Sequence, residues 1–262
     1  MSVLYDRIGV TYAQTRAADP RIVAQLITLL GLPSGANLID IGAGTGNYSY
    51  ALAATGYRVT AVEPSSTMRA QARSHGNLHW LEGAAEALPC EDGSMDGAVM
   101  TLCLHHFSDW RQGLREALRV VGTGPLVIFA FDVEFTRDFW VYDYFPSLIT
   151  ADESVTATIP ALRAFATDEL NAELEIQPFP LPQDLQDHFL ASGWARPEIY
   201  FEAKYRGGIS SFAKLDAATI TAGLAALRAD LDNGTWRERY GHLLTQNVYD
   251  RGYLFLRLQG RA

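Results

Sequence analysis

Residues Leu38 to Tyr50 read LIDIGAGTGNYSY, and this stretch decides how the chain folds. An apolar run leads into three alternating glycines, and a segment of helical character follows them. A glycine turn between a buried strand and a helix is typical of the first unit of an open α/β sheet, where it lies against a nucleotide-like cofactor. The glycines form G-x-G-x-G, and Asn47 occupies the position where the dinucleotide fingerprint G-x-G-x-x-G requires glycine.

Asp40 stands two residues ahead of the first glycine, at the end of the apolar run. A carboxylate at that place would repel a pyrophosphate and attract a ligand that carries an ammonium or a sulfonium. The stretch therefore favours a positively charged cofactor over a dinucleotide. Tight packing of the turn, without any ligand, is the alternative reading of the glycines.

Beyond the glycine turn, short apolar runs alternate with helical segments. This rhythm predicts right-handed crossovers and a doubly wound, mostly parallel α/β sheet of seven strands. Helices are expected at about 20–35, 47–56, 65–75, 108–121 and 182–192. Strands are expected at about 36–42, 57–64, 77–83, 96–104, 124–132, 196–205 and 250–259.

The alternation is lost after Asp132, where the chain becomes aromatic and irregular (FTRDFWVYDYFP). We expect a single domain over residues 1–262, with its core at about 30–132, 182–204 and 250–260. An N-terminal helical arm and two insertions, at about 133–181 and 205–249, would form a cap over the carboxyl ends of the strands, where ligands bind in open α/β sheets.

Composition excludes several classes of protein. The formal net charge of −9 argues against a nucleic-acid face and, more weakly, against anionic membrane surfaces. The two cysteines, Cys90 and Cys103, are too few for a disulfide framework and lack the spacing of a metal site. The N-terminus has no apolar signal core, and no apolar run could span a bilayer. A soluble cytoplasmic protein without a metal, as a monomer or homodimer, is the expectation.

The motifs resemble those of one enzyme family. LIDIGAGTG is similar to the first motif of class I S-adenosylmethionine-dependent methyltransferases, and AVEPSSTM to their second-strand motif. EGAAEALPCEDGSMDGAVMTLCLHHFSDW resembles the adenine-side loop and fourth strand of the methyltransferase type 11, UbiE-like branch. The resemblance covers about residues 36–131. It implies a Rossmann-like methyltransferase sheet, S-adenosylmethionine as cofactor, and O-, N- or C-methylation of a small-molecule acceptor by in-line displacement.

The resemblance also implies the contacts of the cofactor. The glycine turn would approach the methionine half of the cofactor, and Glu63 would accept hydrogen bonds from both ribose hydroxyls. In the N-terminal arm, Tyr12 would face the sulfonium or the acceptor, and Arg16 would pair with the methionine carboxylate. Alternatively, the arm is a surface helix that packs on the core. The expected cofactor-binding residues are Tyr12, Arg16, Asp40, Gly42, Ala43, Gly44, Gly46, Glu63, Pro64, Ala84, Ala85, Leu102 and Cys103.

The adenine side departs from the family pattern. The family commonly has an acid that accepts a hydrogen bond from the adenine amine, and Ala84 occupies that position here. Backbone groups around Ala84 and Ala85 would then hold the adenine. Glu86 either substitutes for the missing acid or is solvated.

Two sets of residues are candidates for the chemistry. His105 and His106, at the end of the fourth strand, would face the methyl group as general base, or would instead cap the following turn. The aromatic run after the fifth strand supplies Trp140, Tyr142 and Tyr144 as the wall of an acceptor site, or as the core of the insertion itself. An aromatic wall favours a planar acceptor that is apolar or cationic, and the acidic chain would tolerate a basic acceptor better than an anionic one.

Other functions remain open from the sequence alone. The protein could use S-adenosylmethionine for a reaction other than methylation, including a cyclisation, or bind it without catalysis as part of a complex. A dinucleotide-dependent oxidoreductase is disfavoured by Asp40 and Asn47.

Overall fold

The structure, a computed structural model, describes residues 16–153 and 157–260. Its main sheet has seven strands in the order β3-β2-β1-β4-β5-β9-β6, and a two-stranded sheet pairs β7 with β8. The strands are β1 Asn37–Ile41, β2 Arg58–Val62, β3 Leu78–Leu81, β4 Gly97–Thr101, β5 Leu126–Phe131, β6 Ala172–Pro178, β7 Leu181–Pro182, β8 Val248–Tyr249 and β9 Tyr253–Gly260.

The first five strands of the main sheet are parallel. β1 pairs in parallel with β2 and β4, β2 with β3, and β4 with β5. β9 is antiparallel to both of its neighbours, β5 and β6. The doubly wound, mostly parallel sheet of seven strands is therefore confirmed.

Helices cover the sheet. They are α1 Pro20–Leu30, α2 Asn47–Ala54, α3 Ser66–Arg69, α4 Trp110–Val121, α5 Val141–Tyr144, α6 Ser147–Glu153, α7 Ile159–Asp168, α8 Ala203–Gly207, α9 Ala217–Asn233 and α10 Thr235–Tyr240. Short 3₁₀ helices lie at Leu104–His106, Phe135–Asp138, Leu190–Gly193, Pro197–Phe201, Phe212–Lys214 and Gly241–Thr245. α3 is much shorter than the helix predicted at 65–75.

Alternation along the strands produces two hydrophobic cores, one on each face of the sheet. Leu38 and Val99 face the core that contains α1, α2 and the aromatic residues of the insertions. Ile39 and Ala98 face the core that contains α4 and α7. Because both faces are covered, the parallel strands read as continuous apolar runs in the sequence.

The predicted strand at 196–205 is wrong. Residues Pro197–Phe201 form a 3₁₀ helix and Ala203–Gly207 a short α-helix, while the predicted helix at 182–192 is largely irregular. Pro197 lacks the N–H that a strand would use, and it begins the 3₁₀ helix. Tyr200 and Tyr205 are both buried there, and each donates a hydroxyl hydrogen bond to the carbonyl of Leu190 or Phe189.

The edge strand of the main sheet is β6 instead, which lies inside the predicted first insertion. Its sequence AELEIQP alternates apolar residues with Glu173, Glu175 and Gln177, and these three residues are exposed. Alanine, leucine and glutamate are good helix formers, but pairing with β9 overrides that preference.

Candidate functional site

The glycine turn joins β1 to α2 in backbone conformations that other residues avoid. Gly42, Gly44 and Gly46 have φ of 70°, 59° and 77°. A Cβ on Gly42 would lie 2.9 Å from the Cβ of Cys103, and a Cβ on Gly46 would lie 2.5 Å from the ring of Trp80. On Gly44 the nearest atom would be the Cε of Met68, at 3.4 Å. The outer glycines thus allow close packing, and the middle one keeps the turn open on its ligand side.

Asp40 lies beneath this turn and is almost fully buried. The hydroxyl of Ser49, in the first turn of α2, donates a hydrogen bond of 2.5 Å to Oδ2 of Asp40. Burial raises the pKa of Asp40 to about 7, with a further contribution from the nearby Glu63, while the Ser49 bond opposes the rise. Asp40 therefore supports the turn from below and does not line the cavity above it.

Glu63 follows β2 and faces the glycine turn. Its Oε2 accepts a hydrogen bond of 2.9 Å from the backbone N–H of Gly44, and its Oε1 accepts one of 2.9 Å from the N–H of Ser65. Burial raises the pKa of Glu63, and the two backbone N–H donors limit the rise. Both carboxylate oxygens are held in fixed positions, as bidentate recognition of a diol requires.

A cavity of about 320 Å³ opens over the glycine turn and is here called the glycine-turn cavity. Ten of the predicted cofactor-binding residues line it. They are Arg16, Gly42, Ala43, Gly44, Glu63, Pro64, Ala84, Ala85, Leu102 and Cys103. Asp40 and Gly46 support the turn from outside the lining, and Tyr12 lies outside the described residues.

Arg16 lines this cavity and is held there by hydrogen-bond partners that the sequence did not indicate. Its Nε and Nη2 donate to the two carboxylate oxygens of Asp187, at 2.5 Å and 3.0 Å. The hydroxyl of Tyr48 donates to the same carboxylate at 3.0 Å, and Asn47 donates to the carbonyl of Arg16 at 2.9 Å. Asp187 is fully buried and also lines the cavity, so an acid of the second half of the chain positions Arg16. No local motif surrounds Asp187 that could have revealed this role.

The loop that follows β3 also borders this cavity. Ala84 and Ala85 line it, as does Glu86. Oε1 of Glu86 accepts hydrogen bonds from the N–H and hydroxyl of Ser108, both at 2.7 Å, and from the N–H of Asp109 at 3.2 Å. Burial alone would raise the pKa of Glu86, but these donors outweigh it and hold the pKa below its ordinary value. An ionised Glu86 thus stands beside the position of the missing family acid.

Leu102 and Cys103 directly follow β4 and line the cavity. Leu102 has a φ of 52°, an uncommon backbone conformation for a leucine, and its N–H donates to the carbonyl of Phe129 at 2.8 Å. The thiol of Cys103 donates to the carbonyl of Ile41 at 3.1 Å, and burial raises its pKa well above the ordinary value. Cys103 is therefore an uncharged packing residue rather than a nucleophile.

A second, narrower cavity of about 50 Å³ lies on the other side of Leu102 and is here called the aromatic cavity. Arg16, Leu102 and His106 line both cavities. His105 lines only the aromatic cavity of these two, and its ring contacts the ring of Phe131 edge-on, with centroids 5.2 Å apart. The two cavities therefore meet at the end of β4.

The environment of the two histidines keeps them neutral. Burial, with the nearby positive charges of Lys214 and Arg16, lowers the pKa of His105 to about 3. Burial also lowers the pKa of His106 well below its ordinary value, with contributions from His105, Lys214 and Arg16. Neutral imidazoles can accept a proton or donate a hydrogen bond, but in this environment they are weak bases.

Of the three residues predicted to form the acceptor wall, only one lines either cavity. Tyr142 lines the aromatic cavity. Trp140 is buried instead, and its Nε1 donates to the carbonyl of Trp194 at 2.9 Å. The hydroxyl of Tyr144 donates to Asp230 at 2.8 Å. Neither Trp140 nor Tyr144 is among the residues lining the two cavities, because both fasten the aromatic insertion to the rest of the core.

Comparison with known proteins shows what the chain is similar to. The family described as "Methyltransferase domain" matches residues 39–129, which include the glycine turn and extend to β5. A candidate methyltransferase from an antibiotic biosynthesis pathway of Anabaena variabilis, known from its crystal structure, is 42% identical in sequence with a TM-score of 0.89. That match covers 93% of this chain and 98% of the Anabaena chain.

Two further relatives are known from their sequences. A ubiquinone/menaquinone biosynthesis C-methyltransferase UbiE from Rubrivivax gelatinosus is 37% identical over 93 residues, which are 35% of this chain and 37% of that protein. A demethylmenaquinone methyltransferase from Clavibacter sepedonicus is 27% identical over 250 residues, which are 87% of this chain and 88% of that protein.

Two absences hold for the part of the chain that the structure describes. None of its helices is both long enough and apolar enough to cross a membrane. None of its groups of His, Cys, Asp and Glu side chains is arranged to hold a metal ion.

Proposed function

The chain belongs to the class I S-adenosylmethionine-dependent methyltransferases, and from that premise we propose that it methylates a small molecule bound in the aromatic cavity. The observation that carries the proposal is the meeting of two cavities at Leu102 and His106. One cavity has the donors and acceptors that the cofactor needs. The other ends at the same strand and opens between the insertions.

The glycine-turn cavity suits S-adenosylmethionine in its chemistry. Glu63 presents two fixed oxygens to the ribose hydroxyls, and Arg16 presents a guanidinium to the methionine carboxylate. Gly44 leaves space where a Cβ would point toward Met68. Glu86 and the backbone around Ala84 and Ala85 are the groups near the adenine. The ribose, the methionine carboxylate and the adenine of the cofactor thus each have a partner of matching charge or hydrogen-bonding type.

The protein's own contribution to catalysis is mainly positional. Bound S-adenosylmethionine supplies an electrophilic methyl group on a good leaving group. Leu102 and His106 border both cavities and therefore set where an acceptor atom can approach. Aromatic side chains of the insertions exclude water from this approach, and the main requirement of an in-line displacement is orientation in a dry site.

The histidines have a limited role in this proposal. His106 borders both cavities, so it can orient the acceptor or receive a proton from it. Its lowered pKa means that proton removal is unfavourable unless the acceptor is itself acidic. The chemistry therefore suits an acceptor that reaches the site already ionised or readily ionised.

The test combines a binding and a transfer measurement. Calorimetry should detect S-adenosylhomocysteine binding, and incubation with methyl-labelled cofactor and a panel of small phenols, carboxylic acids and amines should transfer label to at least one. Glu63→Gln is the negative control: it replaces one ribose-facing oxygen and should abolish S-adenosylhomocysteine binding and label transfer together. Binding without transfer to any acceptor in the panel would contradict methylation of a small molecule of these classes.

A further inference from the structure

The walls of the aromatic cavity are suited to a flat molecule. Besides the two histidines, five phenylalanine and tyrosine rings line it. They belong to Phe131, Phe139, Tyr142, Phe189 and Tyr253. The rings of Phe189 and Tyr253 are stacked, with centroids 4.5 Å apart and an interplanar angle of 26°. Aromatic pairs of this kind form flat walls that select planar groups.

The size of the cavity limits the occupant further. Its volume is about 50 Å³, about a third of the roughly 150 Å³ of an engineered apolar cavity that binds benzene. At most one ring can enter, and only after neighbouring side chains rotate. The occupant is therefore small, or only a small part of it enters.

Arg251 is the charged residue that completes these walls. It lines the cavity although its side chain is only 2% exposed. Its guanidinium carbon lies 5.1 Å from the ring centroids of both Phe139 and Tyr249, and its Nη1 donates to Oδ1 of Asp138 at 2.9 Å. Stacked between rings and tied to a carboxylate, the guanidinium keeps one orientation.

The backbone around Arg251 fixes that orientation. The N–H of Gly252 donates to Oδ1 of Asp250 at 3.0 Å, and the N–H of Asp132 donates to the carbonyl of Gly252 at 2.8 Å. Gly252 has a φ of 72°, and a Cβ there would lie 2.9 Å from the Cβ of Phe135. The turn that leads into β9 is thus anchored on both sides of the arginine.

The charged side chains that line the aromatic cavity are all positive. Two guanidiniums, Arg16 and Arg251, line it, and within the described residues no carboxylate does. The carboxylates that pair with them lie outside this lining: Asp187 borders the other cavity, and the side chain of Asp138 is 79% exposed. Solvent screens Asp138 more than it screens the buried guanidinium of Arg251, so the Arg251 side of the cavity carries a positive potential, whereas the buried Asp187 compensates the charge of Arg16.

The histidine environment agrees with this sign. The positive charges of Lys214 and Arg16 both contribute to the lowered pKa of His105 and His106, which border the same space. Burial is the larger cause of both shifts, and the two positive charges add to it.

We propose that the methyl acceptor is a small planar molecule with an anionic oxygen group, a carboxylate or a phenolate, which Arg251 binds within the aromatic cavity. Arg251 is in this view a specificity residue, and the assignment rests on the proposed function of that cavity as the acceptor site. A guanidinium matches the planar, two-oxygen geometry of a carboxylate and also binds a single phenolate oxygen.

The test uses simple probes in the presence of saturating S-adenosylhomocysteine. Benzoate and 4-nitrophenolate separate the carboxylate from the phenolate, and benzamide and benzylamine are the neutral and cationic counterparts of similar shape. Ligand-observed NMR titration should show at least one anion binding about tenfold more tightly than benzamide, and benzylamine binding most weakly, because only the anion forms a charge-assisted pair with Arg251.

Three variants make the result specific to Arg251. Arg251→Met should weaken binding of the anion about tenfold and leave benzamide unchanged, and Arg251→Lys should fall between it and the wild type. Arg115→Met is the matched control, since Arg115 pairs with Glu169 and lines neither cavity. S-adenosylhomocysteine affinity reports whether each variant keeps its fold and cofactor site.

The outcomes separate the two proposals. Equal binding of benzoate, 4-nitrophenolate and benzamide, or anion binding that survives in Arg251→Met, would overturn the role of Arg251. Tighter binding of benzylamine than of the anions would overturn the anionic acceptor. Failure of the wild type to bind S-adenosylhomocysteine would instead count against the function proposed for the glycine-turn cavity.

Discussion

Asp40 is a buried acid whose negative charge lowers the stability of the fold. Its carboxyl group has a pKa of about 7 in the folded chain, against an ordinary value of 3.8, because burial disfavours its charge. The resulting contribution to the free energy of unfolding is fully present below about pH 3.8 and is lost as the pH rises toward about 7. A carboxylate that carries this cost is consistent with a nearby cation being bound.

We therefore expect Asp40→Asn to be more stable than the wild type in alkaline solution. Asparagine keeps an acceptor for Ser49 but carries no charge to bury. The gain in free energy of unfolding should be near zero at about pH 4 and should reach about 2–4 kcal/mol at about pH 8, from a pKa shift worth about 1.4 kcal/mol per unit. Urea denaturation at the two pH values measures it.

The exposed acid Asp92 provides the control for this comparison. Its side chain is 81% exposed and pairs with Arg119, so Asp92→Asn should change stability by less than about 1 kcal/mol at either pH. A lower stability of Asp40→Asn at the alkaline pH would show that burial does not penalise the Asp40 charge.

Asp187 is a positioning residue for Arg16, and its effect should depend on the amino-acid part of the ligand. Both Arg16→Ala and Asp187→Asn should weaken S-adenosylhomocysteine binding about tenfold or more, since a charge-assisted pair is worth roughly 1.5–3 kcal/mol. Neither should change the affinity for 5′-methylthioadenosine, which lacks the methionine carboxylate. Calorimetry with both ligands measures the difference.

Tyr48→Phe is the matched control, because it removes a hydroxyl bond to Asp187 and leaves the Arg16 pair in place. It should lower S-adenosylhomocysteine affinity much less than Asp187→Asn does. Equal losses for both ligands in Asp187→Asn would mean that the acid only maintains the fold.

At the scale of elements, the glycine turn combines a backbone requirement with a ligand requirement, and the two can be separated. Gly44 and Gly93 have nearly the same φ, 59° and 64°, but only Gly44 lines the glycine-turn cavity. A Cβ on Gly93 would meet nothing within 4 Å. Alanine at either position should therefore cost about 1–2 kcal/mol of stability for the left-handed conformation.

Only Gly44→Ala should also weaken binding of S-adenosylhomocysteine. Its methyl group would enter a space that the ligand fills, and crowding of this kind costs about 1–3 kcal/mol, or about tenfold in affinity. Denaturation and calorimetry on the two variants give the comparison. Equal affinities of Gly44→Ala and Gly93→Ala would show that the turn does not contact the ligand at Gly44.

The elements of the fold differ in how far the sequence could predict them. β1, β2, β4 and β5 are buried on both faces, so their continuous apolar runs identify them. β6 lies at the edge of the sheet with one exposed face, and its Ala, Glu and Leu residues suit a helix as well as a strand. Its identity depends on pairing with β9, which lies 75 or more residues further along the chain, and no local pattern contains that information.

The site shows the same division between local and distant information at the scale of the whole molecule. The glycine turn, Glu63 and the end of β4 lie at fixed places in a repeated strand-to-helix pattern, so their motifs locate them. Asp187 reaches Arg16 across a sequence separation of 171 residues. Trp140 and Tyr144 could not be distinguished from cavity-lining aromatics, since composition does not reveal which face of the insertion packs inward.

Net charge is likewise a property of the whole chain that does not describe its cavities. The formal charge is −9, yet the aromatic cavity is lined by two guanidiniums and by no carboxylate within the described residues. The sequence-based preference for an apolar or cationic acceptor followed from the overall charge and the aromatic run. The local arrangement leads to the opposite sign for the acceptor.

The overall charge should still act on the cofactor, whose methylated form carries one more positive charge than S-adenosylhomocysteine. Attraction by a field of net charge −9 is screened as the Debye length falls from about 30 Å at 0.01 M salt to about 8 Å at 0.15 M. We expect the dissociation constant of S-adenosylmethionine to rise about two- to fivefold over this range and that of S-adenosylhomocysteine to change much less. Calorimetry at the two salt concentrations compares them in the same protein. Since both ligands make the same contacts apart from the methyl group, a change in local geometry would affect them equally, and an equal response to salt would show that the field of the whole molecule does not reach the sulfonium.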